Sequence, residues 1–262
     1  MSTHRLGLVS YLNTAPYRFG LRQREETNWV EDVPARLLPL LESGEVEAAV
    51  LPTFDVLTSA WLRPLPSGCI SSFGQAVSVK LFSRVPLRQV TSVALDTSSH
   101  TSAALVRVVF AELGAHPAFL DMSPDLPRML ASADAALLIG DPCMKADPVE
   151  VLVYDLGAEW LELTGGPVVF ALWAARPDAD IAALDRLIGE ARDIGLGNLG
   201  RIAEEESERL ALDREQVLVY LRDRMRYHLD GPARVGVERF RRLLVKHRLI
   251  PDHGAVRFDL EA

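Results

Sequence analysis

The chain has 262 residues, of which 48% are hydrophobic and 24% charged, a composition typical of a globular protein with one large or two modest domains. Its 36 acidic residues outnumber its 28 basic residues and give a net charge of −8, which argues against binding to nucleic acid. No apolar run is long enough to cross a membrane, so no membrane association is expected. The N-terminus lacks the features of a secretory signal, which predicts a cytoplasmic protein.

Several well-known site motifs are missing. The sequence contains no GxGxxG, GxxxxGK[ST], HExxH or GxSxG motif, so nothing indicates nucleotide hydrolysis, zinc chemistry or an esterase. The two cysteines, Cys69 and Cys143, are far apart and lack CxxC spacing. We therefore expect two reduced, buried thiols and no metal site.

The first part of the chain alternates between strand and helix patterns. Residues 5–11 predict a strand that ends in a turn. A helix is predicted over 34–43, where Gly44 ends it, and a strand follows over 46–52. Another strand is predicted over 75–83. Helix, glycine and strand at this spacing indicate a βαβ unit.

The middle of the chain, from about residue 90 to 175, has the same alternation with short connections. The predicted strands are 90–96, 116–122, 135–141 and 168–175, and the predicted helices are 101–114 and 125–133. This pattern is typical of a small parallel α/β domain. The last strand could return the chain to the first domain.

From Asp178 onward the chain reads as amphipathic helices, predicted over 181–196, 201–212, 214–229 and 235–250. The predicted fold is therefore α/β with two lobes. Lobe 1 comprises 1–88 and 176–262, including the C-terminal helices, and lobe 2, residues 89–175, is inserted into it. Ligands of such proteins bind between the lobes, at strand ends and helix N-termini.

A cluster of polar residues precedes the helix predicted from residue 101. Ser98, Ser99, His100, Thr101 and Ser102 exceed what one helix cap needs. Free amides and the helix dipole favour an anion at this end, and the hydroxyls add uncharged donors. The cluster therefore indicates a carboxylate or phosphate site, with a capped, solvated loop as the alternative.

Most of the other candidate site residues follow predicted strands, Glu159 lies on a short predicted helical face, and each has a simpler structural explanation. Tyr11 and Asn13 follow the first strand, where an Asn-x-x-Pro turn would also explain Asn13. Thr53 could be a helix cap, and Asp141 could begin an Asp-Pro turn. Glu159, next to a tryptophan, could be a base with a shifted pKa or a solvated side chain.

Taken together, several stretches resemble the menaquinone-biosynthesis family, whose members have a periplasmic-binding-protein-like (type II) fold. They occur in the same order over about residues 5–175 and read VSYLNTAPY, LPTFDVL, AVSVKLFS, SSHTSAAL, LLIGDPCM and DLGAEWLELTGGPVVFALW. Cys143, Met144 and Gly166 depart from the residues we would expect there, but none of them removes a polar group.

The resemblance is closest to the branch that dehydrates chorismate in the futalosine route, which implies a hydro-lyase acting on a dicarboxylate. Such a reaction needs a base, an acid and donors for developing charge, and requires no metal or organic cofactor. The alternatives are the sister enzyme, 1,4-dihydroxy-6-naphthoate synthase, and a non-catalytic small-anion-binding protein. The pattern leaves open whether the protein is a monomer or a homodimer.

The resemblance also implies roles for the candidate residues. Ser99, Thr101 and Ser102 would hold one carboxylate of the substrate. The residues that would hold the second carboxylate or the departing hydroxyl are Tyr11, Asn13 and Thr53. Asp141, Glu159 or the enolpyruvyl carboxylate of the substrate would be the base.

Overall fold

The computed structural model of the protein describes residues 4–147 and 150–258. The strands in this part of the chain are β1 (His4–Val9), β2 (Thr27–Asp32), β3 (Ala48–Pro52), β4 (Arg63–Ser72), β5 (Val79–Ser83), β6 (Ser92–Asp96), β7 (Ala118–Met122), β8 (Ala135–Ile139), β9 (Leu152–Asp155), β10 (Val168–Ala175) and β11 (Met225–Arg226). The helices are α1 (Ala15–Leu21), α2 (Pro34–Glu42), α3 (Thr53–Thr58), α4 (His100–Glu112), α5 (Leu126–Ser132), α6 (Gly140–Lys145), α7 (Leu156–Thr164), α8 (Ile181–Leu196), α9 (Leu199–Leu210), α10 (Arg214–Val219) and α11 (Gly231–Lys246).

The strands form two sheets, which confirms the predicted two-lobed α/β fold. The first has six strands in the order β2-β1-β3-β10-β4-β11, and the second has five in the order β7-β6-β8-β5-β9. In the second sheet β6 pairs in parallel with β7 and β8, but β5 is antiparallel to both β8 and β9. The middle block is therefore a mixed sheet, not the parallel one that its alternation predicted.

The sheets divide the chain one strand away from the predicted lobe boundaries. The prediction placed β5 in lobe 1, which was to end at residue 88, yet β5 pairs within the second sheet. It placed β10 in lobe 2, which was to end at residue 175, yet β10 lies between β3 and β4 in the first sheet. Sequence periodicity identifies a strand but not its distant partners. We therefore place the lobe boundaries between β4 and β5 and between β9 and β10.

Local signals account for the best-predicted elements. All eight residues of β10 are buried, as expected for a strand covered on both faces, and its run VVFALWAA is apolar throughout. Helix α2 begins with a proline at its first position, where a missing amide hydrogen costs nothing. In α8 the side chain of Asp180 caps the first turn by accepting a hydrogen bond from the Ala183 amide.

The C-terminal helices differ from the prediction in two ways. Residues 214–229 do not form one helix, because α10 ends at Val219 and a π-helical turn over Tyr220–Arg224 leads into β11. Helix α11 also contacts both lobes. In lobe 1 it packs on β10. In lobe 2 its Phe240 ring packs edge-on against Trp160 of α7, with the ring centroids 5.8 Å apart, and its Lys246 ammonium lies 2.6 Å from the Glu112 carboxylate of α4.

Candidate active site

A crevice opens between the two sheets, where strand ends from both lobes face each other. Its lining residues come from β1 and the segment after it, from β4, β8, β10 and β11, from the starts of α2, α4 and α6, and from the crossover into β5. They are Val9, Tyr11, Asn13, Pro34, Ile70, Ser78, Val79, Ser99, Ser102, Ile139, Gly140, Phe170, Ala171 and Met225.

None of these lining residues carries a charged side chain. The polar side chains among them are the phenol of Tyr11, the amide of Asn13 and the hydroxyls of Ser78, Ser99 and Ser102. All five groups can donate a hydrogen bond without adding a competing charge. Such a crevice can bind an anion through neutral donors.

The segment after β1 places Asn13 at the crevice. The hydroxyl of Thr14 donates to the carbonyls of Val9 and Tyr11 and so fixes the short turn over residues 12–14. The Asn13 Oδ1 atom is buried and has no hydrogen-bond partner in the described part of the chain. A buried acceptor left without a partner is costly, so it marks a place where a donor group, such as a ligand hydroxyl or a water, would bind.

Tyr11 lies between the lobes, with its ring against Gly140 of the opposite lobe. Gly140 has φ +66°, and a Cβ atom built there would lie only 2.6 Å from Cδ2 of Tyr11. A glycine is therefore needed for this contact. Burial raises the pKa of Tyr11 to about 12, although a hydrogen bond with Ser98 opposes the shift. The phenol stays protonated and can donate.

Helix α4 supplies the crevice with its N-terminus. Ser99 is the N-cap residue, and its hydroxyl accepts a hydrogen bond from the Ser102 amide at 3.3 Å. The two hydroxyl oxygens are 3.2 Å apart. Both side chains are buried and line the crevice. The predicted placement of Ser99 and Ser102 at a strand-to-helix junction facing a cleft agrees with this geometry.

The structure directs Thr101 away from the crevice. Its fully buried hydroxyl accepts a hydrogen bond from the Phe54 amide of lobe 1 at 3.0 Å, and it is not among the lining residues. A substrate contact of Thr101 therefore has no support here. The sequence could not show this because the partner lies 47 positions away along the chain.

Thr53 is likewise not among the lining residues. It is the first residue of α3 rather than its cap, and its side chain is fully buried. Its hydroxyl has no partner among the described residues. The tight strand-to-helix turn after β3 encloses it in protein.

Asp141 lies beside the crevice but already has partners. Its Oδ1 accepts a hydrogen bond from the Leu12 amide at 2.8 Å, and its Oδ2 is 3.7 Å from an Arg209 guanidinium nitrogen. Burial raises the pKa of Asp141, while the Leu12 amide and Arg209 oppose that shift. Asp141 thus joins the two lobes, and it is not among the lining residues.

Glu159 is half-buried in α7 and is also absent from the crevice lining. Burial raises its pKa, and the neighbouring carboxylates of Glu162 and Asp155 raise it further. A raised pKa suits a base only where the carboxylate can reach the substrate. The structure does not bring Glu159 to the other candidates.

Sequence reasoning missed three residues around the crevice. The Asp96 carboxylate, buried at the end of β6, accepts hydrogen bonds from the amides of Ser98 and Ile139. Ser78 lines the crevice, and its hydroxyl is 2.9 Å from that of Tyr220. An acid directly after the apolar run of β6 was a detectable signal, but the Ser78–Tyr220 contact spans 142 positions and was not.

Residues 4–147 and 150–258 contain neither a cluster of metal ligands nor a membrane-spanning helix. Within these ranges no three His, Cys, Asp or Glu residues cluster closely enough to hold a metal ion. No helix in the same ranges is both long and apolar enough to span a membrane.

Comparison with known proteins links this geometry to a family. A family model described as "Menaquinone biosynthesis" matches residues 4–246. The chain is 36% identical to a chorismate dehydratase of Thermus thermophilus, and the match covers 92% of this chain and 94% of that relative.

Solved structures with the same fold are more distant in sequence. A protein from Archaeoglobus fulgidus matches with a TM-score of 0.70 and 15% identity, over 94% of this chain and 98% of that one. The periplasmic aliphatic sulphonate-binding protein of Escherichia coli matches with a TM-score of 0.65 and 16% identity, over 98% of this chain and 96% of that one. The fold is thus periplasmic-binding-protein-like, and the chain belongs to the menaquinone-biosynthesis family.

Proposed function

We propose that the protein is a chorismate dehydratase, a hydro-lyase that converts chorismate to 3-[(1-carboxyvinyl)oxy]benzoate and water. The observation that carries the proposal is the interlobe crevice, which has uncharged donors, a helix N-terminus and no charged lining side chain. Chorismate carries two carboxylates, so it fits a crevice built to receive anions. The name of the Thermus relative supports the same substrate.

The reaction removes the ring proton beside the enolpyruvyl ether and expels the neighbouring hydroxyl as water. Negative charge builds on the ring carboxylate as the proton leaves, because the ring double bond conjugates the two positions. The α4 N-terminus with Ser99 and Ser102 would hold that carboxylate. Tyr11 and Asn13, from the opposite lobe, would donate to the second carboxylate or to the departing hydroxyl.

The arrangement of carboxylates favours the substrate itself as the base. Asp141 already bonds to the Leu12 amide, and neither Asp141 nor Glu159 lines the crevice. The enolpyruvyl carboxylate of chorismate is attached through the ether oxygen to the carbon that loses the proton, so it would reach that proton without a protein carboxylate. We therefore propose that the enolpyruvyl carboxylate takes this proton and passes it to the departing hydroxyl, which leaves as water. The predicted cytoplasmic location and the choice between monomer and homodimer stay predictions.

The first test is incubation of purified protein with chorismate, followed by chromatography and NMR of the product. The aromatic enolpyruvyl ether is expected. Unchanged chorismate, with an active control enzyme alongside, would overturn the proposal. Chorismate that binds in calorimetry without conversion would indicate an anion-binding protein, and turnover of the sister enzyme's substrate alone would indicate that enzyme.

Matched variants then test the residue roles. If Asn13 donates to the departing hydroxyl, Asn13→Ala should lower kcat by about 10²- to 10³-fold, the usual cost of losing one donor to developing charge. Asn28→Ala, an exposed residue on β2, is the control and should keep the wild-type rate. Asp141→Asn and Glu159→Gln test whether either carboxylate is the base, because loss of a general base lowers the rate by about 10²- to 10⁴-fold. A loss of that size in Glu159→Gln, or in Asp141→Asn with unchanged exchange of the Leu12 amide, would replace the substrate-assisted step.

A further inference from the structure

A hydrogen-bonded histidine–aspartate pair crosses from one lobe to the other beside the crevice. The His100 Nδ1 atom, at the first position of α4, is 2.7 Å from Oδ1 of Asp55 in α3. The adjacent Thr101 hydroxyl accepts the Phe54 amide of the same α3 helix at 3.0 Å. Two neighbouring residues of lobe 2 therefore hold two neighbouring residues of lobe 1.

The two side chains differ in exposure, so the buried aspartate depends on the exposed histidine for its hydrogen bond. The Asp55 side chain is only 5% exposed, whereas that of His100 is 49% exposed. Asp55 Oδ2 is buried without a hydrogen-bond partner among the described residues, so His100 carries most of the compensation for this carboxylate. Removing the partner of a buried carboxylate is costly because the charge of the carboxylate remains uncompensated.

The pair also lies next to the groups that face the crevice. Ser99 and Ser102 line it, and His100 stands between them in sequence. An attachment at His100 therefore fixes the position of the α4 N-terminus relative to lobe 1.

From these contacts we propose that Asp55 and His100 form a clasp that holds the lobes closed over the crevice. Asp55 is then a positioning residue that acts on the reaction through His100 and α4. The part of this inference that concerns turnover rests on the proposed function. The part that concerns closure does not, so it can be tested without a substrate.

Amide hydrogen exchange in the ligand-free protein is the direct test, because three amides in the described part of lobe 1 donate to lobe 2. The Phe54 amide lies at the clasp, the Ala35 amide donates to the Ser98 carbonyl, and the Leu12 amide donates to Asp141. In His100→Asn all three amides should exchange faster by a common factor of about ten, since a charge-assisted hydrogen bond is lost and closure weakens as a unit.

Further variants test whether the effect comes from the Asp55–His100 contact itself. His100→Lys keeps a cation within reach of Asp55 and should restore slow exchange. Asp55→Asn should match His100→Asn, and the double variant should be no faster than the faster single variant. His116→Asn is the control, because His116 is exposed and has no hydrogen bond or ion pair within residues 4–147 and 150–258.

The exchange pattern distinguishes a clasp between the lobes from a local contact. Faster exchange at Phe54 alone, with Leu12 and Ala35 unchanged, would show a local packing contact and overturn the clasp. Unchanged exchange at all three amides would overturn it as well. If chorismate is a substrate, His100→Asn should raise KM by about tenfold with a smaller effect on kcat, because closure then costs part of the binding energy. Inactive wild-type protein with the expected exchange pattern would contradict the proposed function and leave the clasp standing.

Discussion

Substitution of Gly140 by alanine would test whether the two lobes must close around Tyr11. Gly140 has φ +66°, a conformation that costs an L-residue about 1–2 kcal/mol. The added Cβ would lie 2.6 Å from Cδ2 and 2.7 Å from Cγ of the Tyr11 ring, too close for any real contact. Cγ is at the base of the side chain, so the ring cannot rotate out of the way.

The clash can be relieved without unfolding, because Tyr11 and Gly140 belong to different lobes. Overpacking of this kind costs about 1–3 kcal/mol when it cannot be avoided. If the lobes separate, the folded protein escapes that cost and only the backbone term lowers its stability. The cost returns when the enzyme closes to react, so kcat/KM should fall by about 5- to 150-fold.

Gly165→Ala provides the matched control. Gly165 has φ +69°, almost the same as Gly140, but a Cβ there would meet no atom within 4 Å. Denaturant unfolding should give similar losses of stability, about 1–2 kcal/mol, for both variants. Only Gly140→Ala should lose activity and show faster exchange of the Leu12 amide. Equal activity in the two variants, or a Gly140→Ala stability loss larger by about 3 kcal/mol, would refute this reasoning.

Two further predictions concern the clasp and the crossover between the lobes. The hydrogen bond to Asp55 raises the pKa of His100, and Asp121 is the other nearby carboxylate that raises it. Closure should therefore be strongest below the ordinary histidine pKa of about 6.5 and should weaken as the pH rises through the raised pKa. Phe54 amide exchange, corrected for its intrinsic rate, should accelerate over that range in wild-type protein; a flat profile would contradict the assignment. Asp155→Ala removes a carboxylate that accepts four amides, two in the crossover before β5 and two at the start of α7, at 2.6–3.2 Å. It should lower the free energy of unfolding by about 2–4 kcal/mol in urea, and a loss below about 1 kcal/mol would mean that the crossover is held by other contacts.

Elements with self-contained signals could be predicted from the sequence, and elements that depend on partners could not. Strand β10 and helix α8 were predicted with their full bounds because one is apolar throughout and the other is periodic and capped. Strand β4 was missed because Pro64 and Pro66 lie inside it. They are tolerated there because β11 covers only Ser71 and Ser72, so the first half of β4 is an open edge on that side.

The same distinction between local signals and distant partners applies to the candidate site. Tyr11, Asn13, Ser99 and Ser102 follow strand ends and could be placed from local pattern alone, and all four line the crevice. Thr101 has the same local signal, but its contact with Phe54 depends on how the two lobes meet. Periodicity carries no information about that arrangement.

Helical geometry explains why so many polar residues precede α4. Residues three apart lie on the same face of a helix, whereas their neighbours point elsewhere. Ser99 and Ser102 share the face that lines the crevice, while His100 and Thr101 contact the opposite lobe. One turn of helix can therefore bind a ligand on one side and close the protein on the other. On this view, variants at Ser102 should weaken substrate binding without loosening the lobes, whereas variants at His100 should loosen the lobes and weaken binding only through the poorer closure.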